Sequence, residues 1–224
     1  MRIRIVAVFA AVVFGGSLSL PWGAPSHGTT DGTRHSLTQG NTARAADELR
    51  FAYVGSFKCK KCHIKEYKSW EATRMAKSFD ILKPKEHASA KEKVRIEVNK
   101  DYTTDPACLK CHTTGFEQPG GYVCPPSDDE KALKKAEQLV GVGCESCHGP
   151  GSAYVPVFEE ILKSKRKYKV EELYAVGLAK LDEATCQACH NTDGPTYDPA
   201  VPFDYAKRKR DGVHALQLLK QREE

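Results

Sequence analysis

Gly143-Cys144-Glu145-Ser146-Cys147-His148-Gly149-Pro150-Gly151 is the stretch that decides how this chain folds. Two cysteines three positions apart sit about one helical turn from each other, so both sulfurs reach one side of the chain. The histidine directly after the second cysteine can turn its imidazole to that side as well. Two thiols and an imidazole in this order suit the two vinyl groups and the iron of one porphyrin. C-x-x-C-H is accordingly the attachment pattern of covalently bound haem. It recurs at Cys59/Cys62/His63, Cys108/Cys111/His112 and Cys186/Cys189/His190.

Paired C-x-x-C units also build zinc ribbons, and an exported chain can use cysteines for disulfides. Neither alternative gives a reason for a histidine after every pair, and disulfides leave the ninth cysteine, Cys124, over. The reading is therefore a tetrahaem c-type cytochrome. Cys59, Cys62, Cys108, Cys111, Cys144, Cys147, Cys186 and Cys189 would anchor four haem c groups, and His63, His112, His148 and His190 would bind their irons from one side. First cysteines are separated by 49, 36 and 42 residues, so there is no fixed-period repeat.

Residues 1–45 read as a signal peptide and polar leader, and residues 46–224 as one tetrahaem domain. Arg2 and Arg4 precede an apolar run from Ile5 to Leu20, and Ala43-Arg44-Ala45 is an A-x-A cleavage site. The apolar run is short for a membrane span. Left uncleaved, it would instead tether the domain to a membrane. Either way the haem domain is expected outside the cytoplasm, in the periplasm or an equivalent space. The formal net charge of +5 falls to +2 without the leader, and haem propionates lower it further. With no basic recognition motif, nucleic-acid binding is not expected.

The fold expected is mainly α, with helices and loops wrapped around four haems that themselves form much of the core. Helix-forming stretches run from Phe57 to about Leu82, Pro84 to Asn99, Ser127 to Val140, Ile161 to Lys180 and Asp204 to Glu224. Gly115 to Tyr122 and Gly194 to Pro202 read as loops. Gly141, Gly143, Gly149 and Gly151 bracket the third motif, where they would allow close backbone approach to a porphyrin. No strand-like alternation is long enough for a sheet. Cys124 reads as a small buried residue. Lysines crowd the first motif (Lys58, Lys60, Lys61, Lys65, Lys68), either as a solvated helix face or as a docking face for an acidic redox partner.

The surrounding residues resemble the tetrahaem cytochrome c-554 family. The similarity lies in Ser69 to Pro84, Asp101 to Tyr122 and Gly141 to Gly151, and more weakly in Phe203 to His214. It implies closely spaced, partly stacked haems, most of them with two histidine ligands. The second haem, held by His112, would keep an open position, and His214 would be the distal ligand of the haem of His148. Two positions depart from the family pattern. Met75 stands where a distal histidine is expected on the first helix, and Ser152 to Lys169 lacks another, which leaves the haem of His63 short of a ligand.

A count gives a related answer without the family. Residues 46–224 hold six histidines (His63, His87, His112, His148, His190, His214) and one methionine, Met75. With four histidines proximal, only His87, His214 and Met75 remain for four distal positions. A Met/His pair would raise the potential of its haem. His87 reads as a solvated helix residue. The function expected is electron transfer between a donor and an acceptor of unknown identity. The alternatives are a haem enzyme acting on NO, nitrite or hydroxylamine at an open iron, and a fixed subunit of a membrane redox complex. No acid/base constellation supports the enzyme. Intact mass of the matured protein should show four haem additions; fewer after correct maturation would contradict the motif reading.

Overall fold

The structure is a computed structural model that describes residues 51–209, 213–217 and 219–223. The expected apolar leader, the cleavage site, His27 and His35 lie outside the described residues. Among those residues no helix is long and apolar enough to cross a membrane.

Short helices carry the fold, and the four motifs lie in or beside them. α1 (Ser56–Lys60) contains Cys59, and α2 (Ile64–Glu71) begins directly after His63. A 3-10 turn at Asp80–Leu82 and α3 (Ala88–Lys93) follow. The second motif lies wholly in α4 (Pro106–His112), which is separated by α5 (Glu130–Glu137) from the third motif in α6 (Cys144–His148). α7 (Tyr154–Ser164), β1 (Tyr168–Lys169) and α8 (Val170–Tyr174) come next. The fourth motif starts in α9 (Glu183–Gln187), and the chain closes through α10 (Tyr205–Arg208) and β2 (Arg222–Glu223). β1 and β2 pair in parallel, Tyr168 opposite Arg222, and this ties the tail to the segment after α7.

Aspartates start four of the helices. Asp105, Asp129, Asp182 and Asp204 each accept a hydrogen bond from a backbone N–H one turn in, at 2.9 to 3.1 Å. Asp105 is followed by Pro106 at the first helical position, where a missing N–H costs nothing. Two of these caps, Asp105 and Asp182, fix the start of a motif helix.

The helices are shorter than the sequence patterns predict. The first ends at Glu71 rather than near Leu82, and the stretch from Pro84 to Asn99 keeps only Ala88–Lys93. These stretches are rich in charge, and helices this short need an apolar face to pack. Ile161 to Lys180 breaks where Lys165 turns left-handed at φ 56° and then enters β1. Among the described residues of the tail, only Tyr205–Arg208 is helical. Beyond it the backbone donors find partners elsewhere: Ala215 N donates to Ser69 Oγ, and β2 pairs with β1.

Protein side chains alone make two small cores. Leu82, Tyr102, Leu109, Tyr122, Ala136 and Leu139 form one beneath the second motif, with Cys108 packed on it. Tyr154, Phe158, Ile161, Tyr168 and Leu173 form the other, around α7 and α8. From Lys180 to Lys209 no side chain is buried.

The stretch around the third motif joins these parts. Glu145 is 1% exposed, and its carboxylate accepts from the N–H groups of Val54, Gly55 and Gly151 at 2.7 to 3.1 Å. Burial pushes its pKa up, while these three donors pull it back. Gly143 N donates to Thr114 Oγ1, Cys144 N to Ser56 Oγ, Gly141 N to the His112 carbonyl and Val142 N to the Met75 carbonyl. A Cβ on Gly143 would lie 2.6 Å from both Ser56 Oγ and Thr114 Oγ1. The close approach that this glycine permits is therefore to neighbouring chain. Glu145→Gln should replace an acceptor by a donor facing backbone N–H groups and cost about 2–3 kcal/mol. The check is denaturation of the variant holoprotein; unchanged stability would remove Glu145 from this role.

Candidate haem sites

Each motif makes the local turn its spacing predicts. His63 N donates to the Cys59 carbonyl and His190 N to the Cys186 carbonyl, both at 2.9 Å, while the second and third motifs are helical throughout. Each histidine therefore follows its first cysteine by one helical turn. All nine cysteines are free thiols. Among the described residues no three His, Cys, Asp or Glu side chains converge on a single point. The motif cysteines thus do not form the four-ligand cages a zinc ribbon needs.

The motifs come together in pairs. The Cys59 and Cys144 thiols lie within reach of each other, and their side-chain interaction lowers Cys144 to about 7 and raises Cys59. Cys111 and Cys189 interact in the same way, which lowers Cys111 to about 6 and raises Cys189. Cys147 is pushed up to about 11 by burial first, and also by the field of Cys186. The first motif thus neighbours the third, the second neighbours the fourth, and the third also reaches towards the fourth.

His63, His148 and His214 border one cavity of about 260 Å³ with a largely hydrophobic wall. The ring centres of His148 and His214 are 6.3 Å apart, with planes at 35°. Metal–imidazole bonds of about 2 Å, with ring centres about 1 Å further out, put two imidazoles on one metal about 6 Å apart. The pair that the family resemblance assigns to the third haem thus has the separation that shared ligation of one iron needs.

Burial lowers the pKa of all four motif histidines. His148 falls to about 4, helped by the nearby His214 and His63, and His63, His112 and His190 shift the same way. Each is therefore held as the neutral imidazole, the form that binds a metal. His112 Nδ1 lies 2.6 Å from the Ser78 carbonyl oxygen. Donation there directs Nε2 towards an iron. This partner is a backbone atom 34 residues away, which no side-chain pattern in the sequence marks. His190 stacks on Phe203, ring centres 4.2 Å apart. Paired thiols, neutral imidazoles and an apolar cavity fit covalently attached haem.

The remaining sequence candidates sit elsewhere. Met75 is half-buried in a turn, where its carbonyl accepts from Ser78 N and Val142 N. It does not line the cavity of His63, His148 and His214. His87 is exposed at the start of α3 with a left-handed backbone, φ 50°. Cys124 is exposed, not buried as its composition class predicts, because it lies in the irregular segment before α5.

Comparison with known proteins agrees with this geometry. The family model described as "Cytochrome c554 and c-prime" matches residues 58–149. Cytochrome c-554 of Nitrosomonas europaea is 37% identical over 179 residues, covering 75% of this chain and 70% of that protein. The solved structure of reduced cytochrome c554 from Nitrosomonas europaea superposes with a TM-score of 0.60 at 31% identity, over 78% of this chain and 90% of that one. The chain belongs to the cytochrome c-554 family and is a multihaem electron-transfer cytochrome with four c-type haems.

Proposed function

We propose that this protein carries electrons outside the cytoplasm, between a donor and an acceptor protein, through haems arranged as two neighbouring pairs. The observation that carries the reading is the contact between motifs: Cys59 with Cys144, and Cys111 with Cys189. Cysteines this close attach porphyrins that are also close, and the proximity of Cys147 to Cys186 offers a crossing between the pairs.

When bound, haem supplies one-electron exchange at iron. The eight motif cysteines would hold the porphyrins, and His63, His112, His148 and His190 would bind the irons. His214 would be a second ligand at the site of His148. The Ser78 carbonyl orients His112. Tyr154, Phe158 and Leu173 exclude water from the cavity shared by the first and third sites. The apolar run and the A-x-A site of the leader support export. Met75 remains the candidate for one further distal position, outside that shared cavity.

His214→Ala should leave the iron of His148 with one protein ligand. The ferric variant is expected to gain one axial high-spin signal in EPR; a spectrum identical to that of the parent protein would remove His214 from the ligand set.

The partner face is expected beside the first motif. Lys58, Lys61, Lys65 and Lys68 are exposed around the exposed Cys62, and Phe57 and Ile64 are 56% and 51% exposed between them. Charge steers an encounter and exposed apolar side chains hold it, a combination that suits an acidic redox protein. The Debye length shrinks from about 30 Å at 0.01 M salt to about 8 Å at 0.15 M. Electron-transfer rates with the partner should fall about tenfold over that range, and Lys61→Glu with Lys65→Glu should flatten the dependence. Rates indifferent to salt would leave these lysines as a solvated face.

A further inference from the structure

We propose that Phe203 is a positioning residue of the fourth site: its ring lies flat on the His190 imidazole and fixes the angle at which that imidazole meets the iron. This rests on the assignment of His190 to an iron under the proposed function.

The motif histidines are steadied in different ways. His112 has the Ser78 carbonyl at Nδ1, and His148 faces His214. Among the described residues the His190 ring makes no hydrogen bond. Phe203 lies against it instead, with ring centres 4.2 Å apart and planes within 11°. An imidazole bound through one nitrogen can turn about its metal–nitrogen bond unless the rest of the ring meets a partner. The lone pair that binds a metal lies in the imidazole plane. A ring stacked on the imidazole face is therefore beside the metal–nitrogen axis. It leaves that nitrogen free and blocks rotation, because a turning imidazole would drive its edge into the phenyl face. At the first motif Phe158 lies on His63 in the same manner, at 5.3 Å and 17°.

The chain between the two rings is stiff although none of its side chains is buried. Asn191 Nδ2 donates to the carbonyls of Gln187 and Ala188 and seals the turn that carries His190. Asp193 N donates to Asn191 Oδ1 and Ala200 N to Asp198 Oδ1, both at 2.9 Å. Pro195, Pro199 and Pro202 fix φ along the way. Asp204 then caps α10 directly after Phe203. These bonds are all local. Among the hydrogen bonds and ring contacts of the described residues, the stack alone joins the far end of this loop to the motif.

The angle matters because the imidazole π orbitals overlap the iron d orbitals, and the EPR signal of a ferric haem follows that overlap. Phe203 is half-buried and outside both apolar clusters, so its replacement removes the ring without opening either core.

The test is EPR of the fully oxidised, four-haem protein and its Phe203→Leu and Phe203→Tyr variants, beside a crystal structure of the parent holoprotein. The crystal should show Phe203 parallel to His190 and off the iron–nitrogen axis. Phe203→Leu should shift or broaden one component of the spectrum and leave the rest superposable on the parent. Phe203→Tyr, which keeps the ring, should retain the parent spectrum. A Leu variant with an unchanged spectrum would overturn the proposal, as would Leu and Tyr variants altered alike. A change spread over every component would make Phe203 a general packing residue and overturn it too. So would a crystal with Phe203 away from His190. A protein lacking haem on Cys186 and Cys189 would remove the underlying assignment instead, and intact mass separates that failure from the others.

Discussion

The Glu145 carboxylate is the contact on which the arrangement depends. It sits between the two cysteines of the third motif and gathers three backbone N–H groups, two from the distant Val54 and Gly55 and one from Gly151 just beyond the motif. Taking a carboxylate out of water costs several kcal/mol unless its oxygens are satisfied. Here both oxygens are, so the same burial that penalises the charge also fixes the positions of Val54, Gly55 and Gly151. Val54 and Gly55 lead directly into α1 and the first motif. One side chain thereby holds the first and third attachment sites in register, and the Cys59–Cys144 contact follows from it. Ser56 and Thr114 add hydroxyl bonds to the same stretch, and Thr114 brings the segment that follows the second motif.

This joint matters because little else holds the chain. The two apolar clusters are small, and neither reaches the segment from Lys180 to Lys209. Ordering a residue costs roughly 1–2 kcal/mol of backbone entropy, and such clusters offset only part of that over the described length. Covalent haem changes the balance twice. It supplies large apolar faces for side chains such as Phe203 beside His190, and its thioether bonds limit the unfolded chain. A protein built this way needs caps, tight turns and motif helices more than long amphipathic ones, and those are what the short elements provide.

Cofactor chemistry was the legible part of the sequence, because C-x-x-C-H is local and its atoms must meet one porphyrin. Asp105 before Pro106 and Asp182 before the fourth motif are legible for the same reason, each being satisfied within one turn. The pairing of His148 with His214 was accessible through resemblance and ligand counting, and the 6.3 Å separation agrees with it. Helix lengths were not legible: Ala215 and β2 respond to tertiary partners that no local pattern reveals. Nor could the sequence place the Ser78 carbonyl on His112, because a backbone oxygen carries no residue identity. The missing histidine between Ser152 and Lys169 was visible, but the ring that lies against His63, Phe158, was not. Cys124 shows a class average failing: small and apolar by type, it lies exposed in a loop.

The central claim is that four haems form two close pairs, first with third and second with fourth. Anomalous diffraction at the iron absorption edge, from crystals of the fully loaded protein, locates the four irons directly. The shortest iron–iron separations should join the sites of Cys59/Cys62 and Cys144/Cys147, and those of Cys108/Cys111 and Cys186/Cys189. Four irons strung evenly in chain order, or a closest approach between the first and second sites, would contradict it.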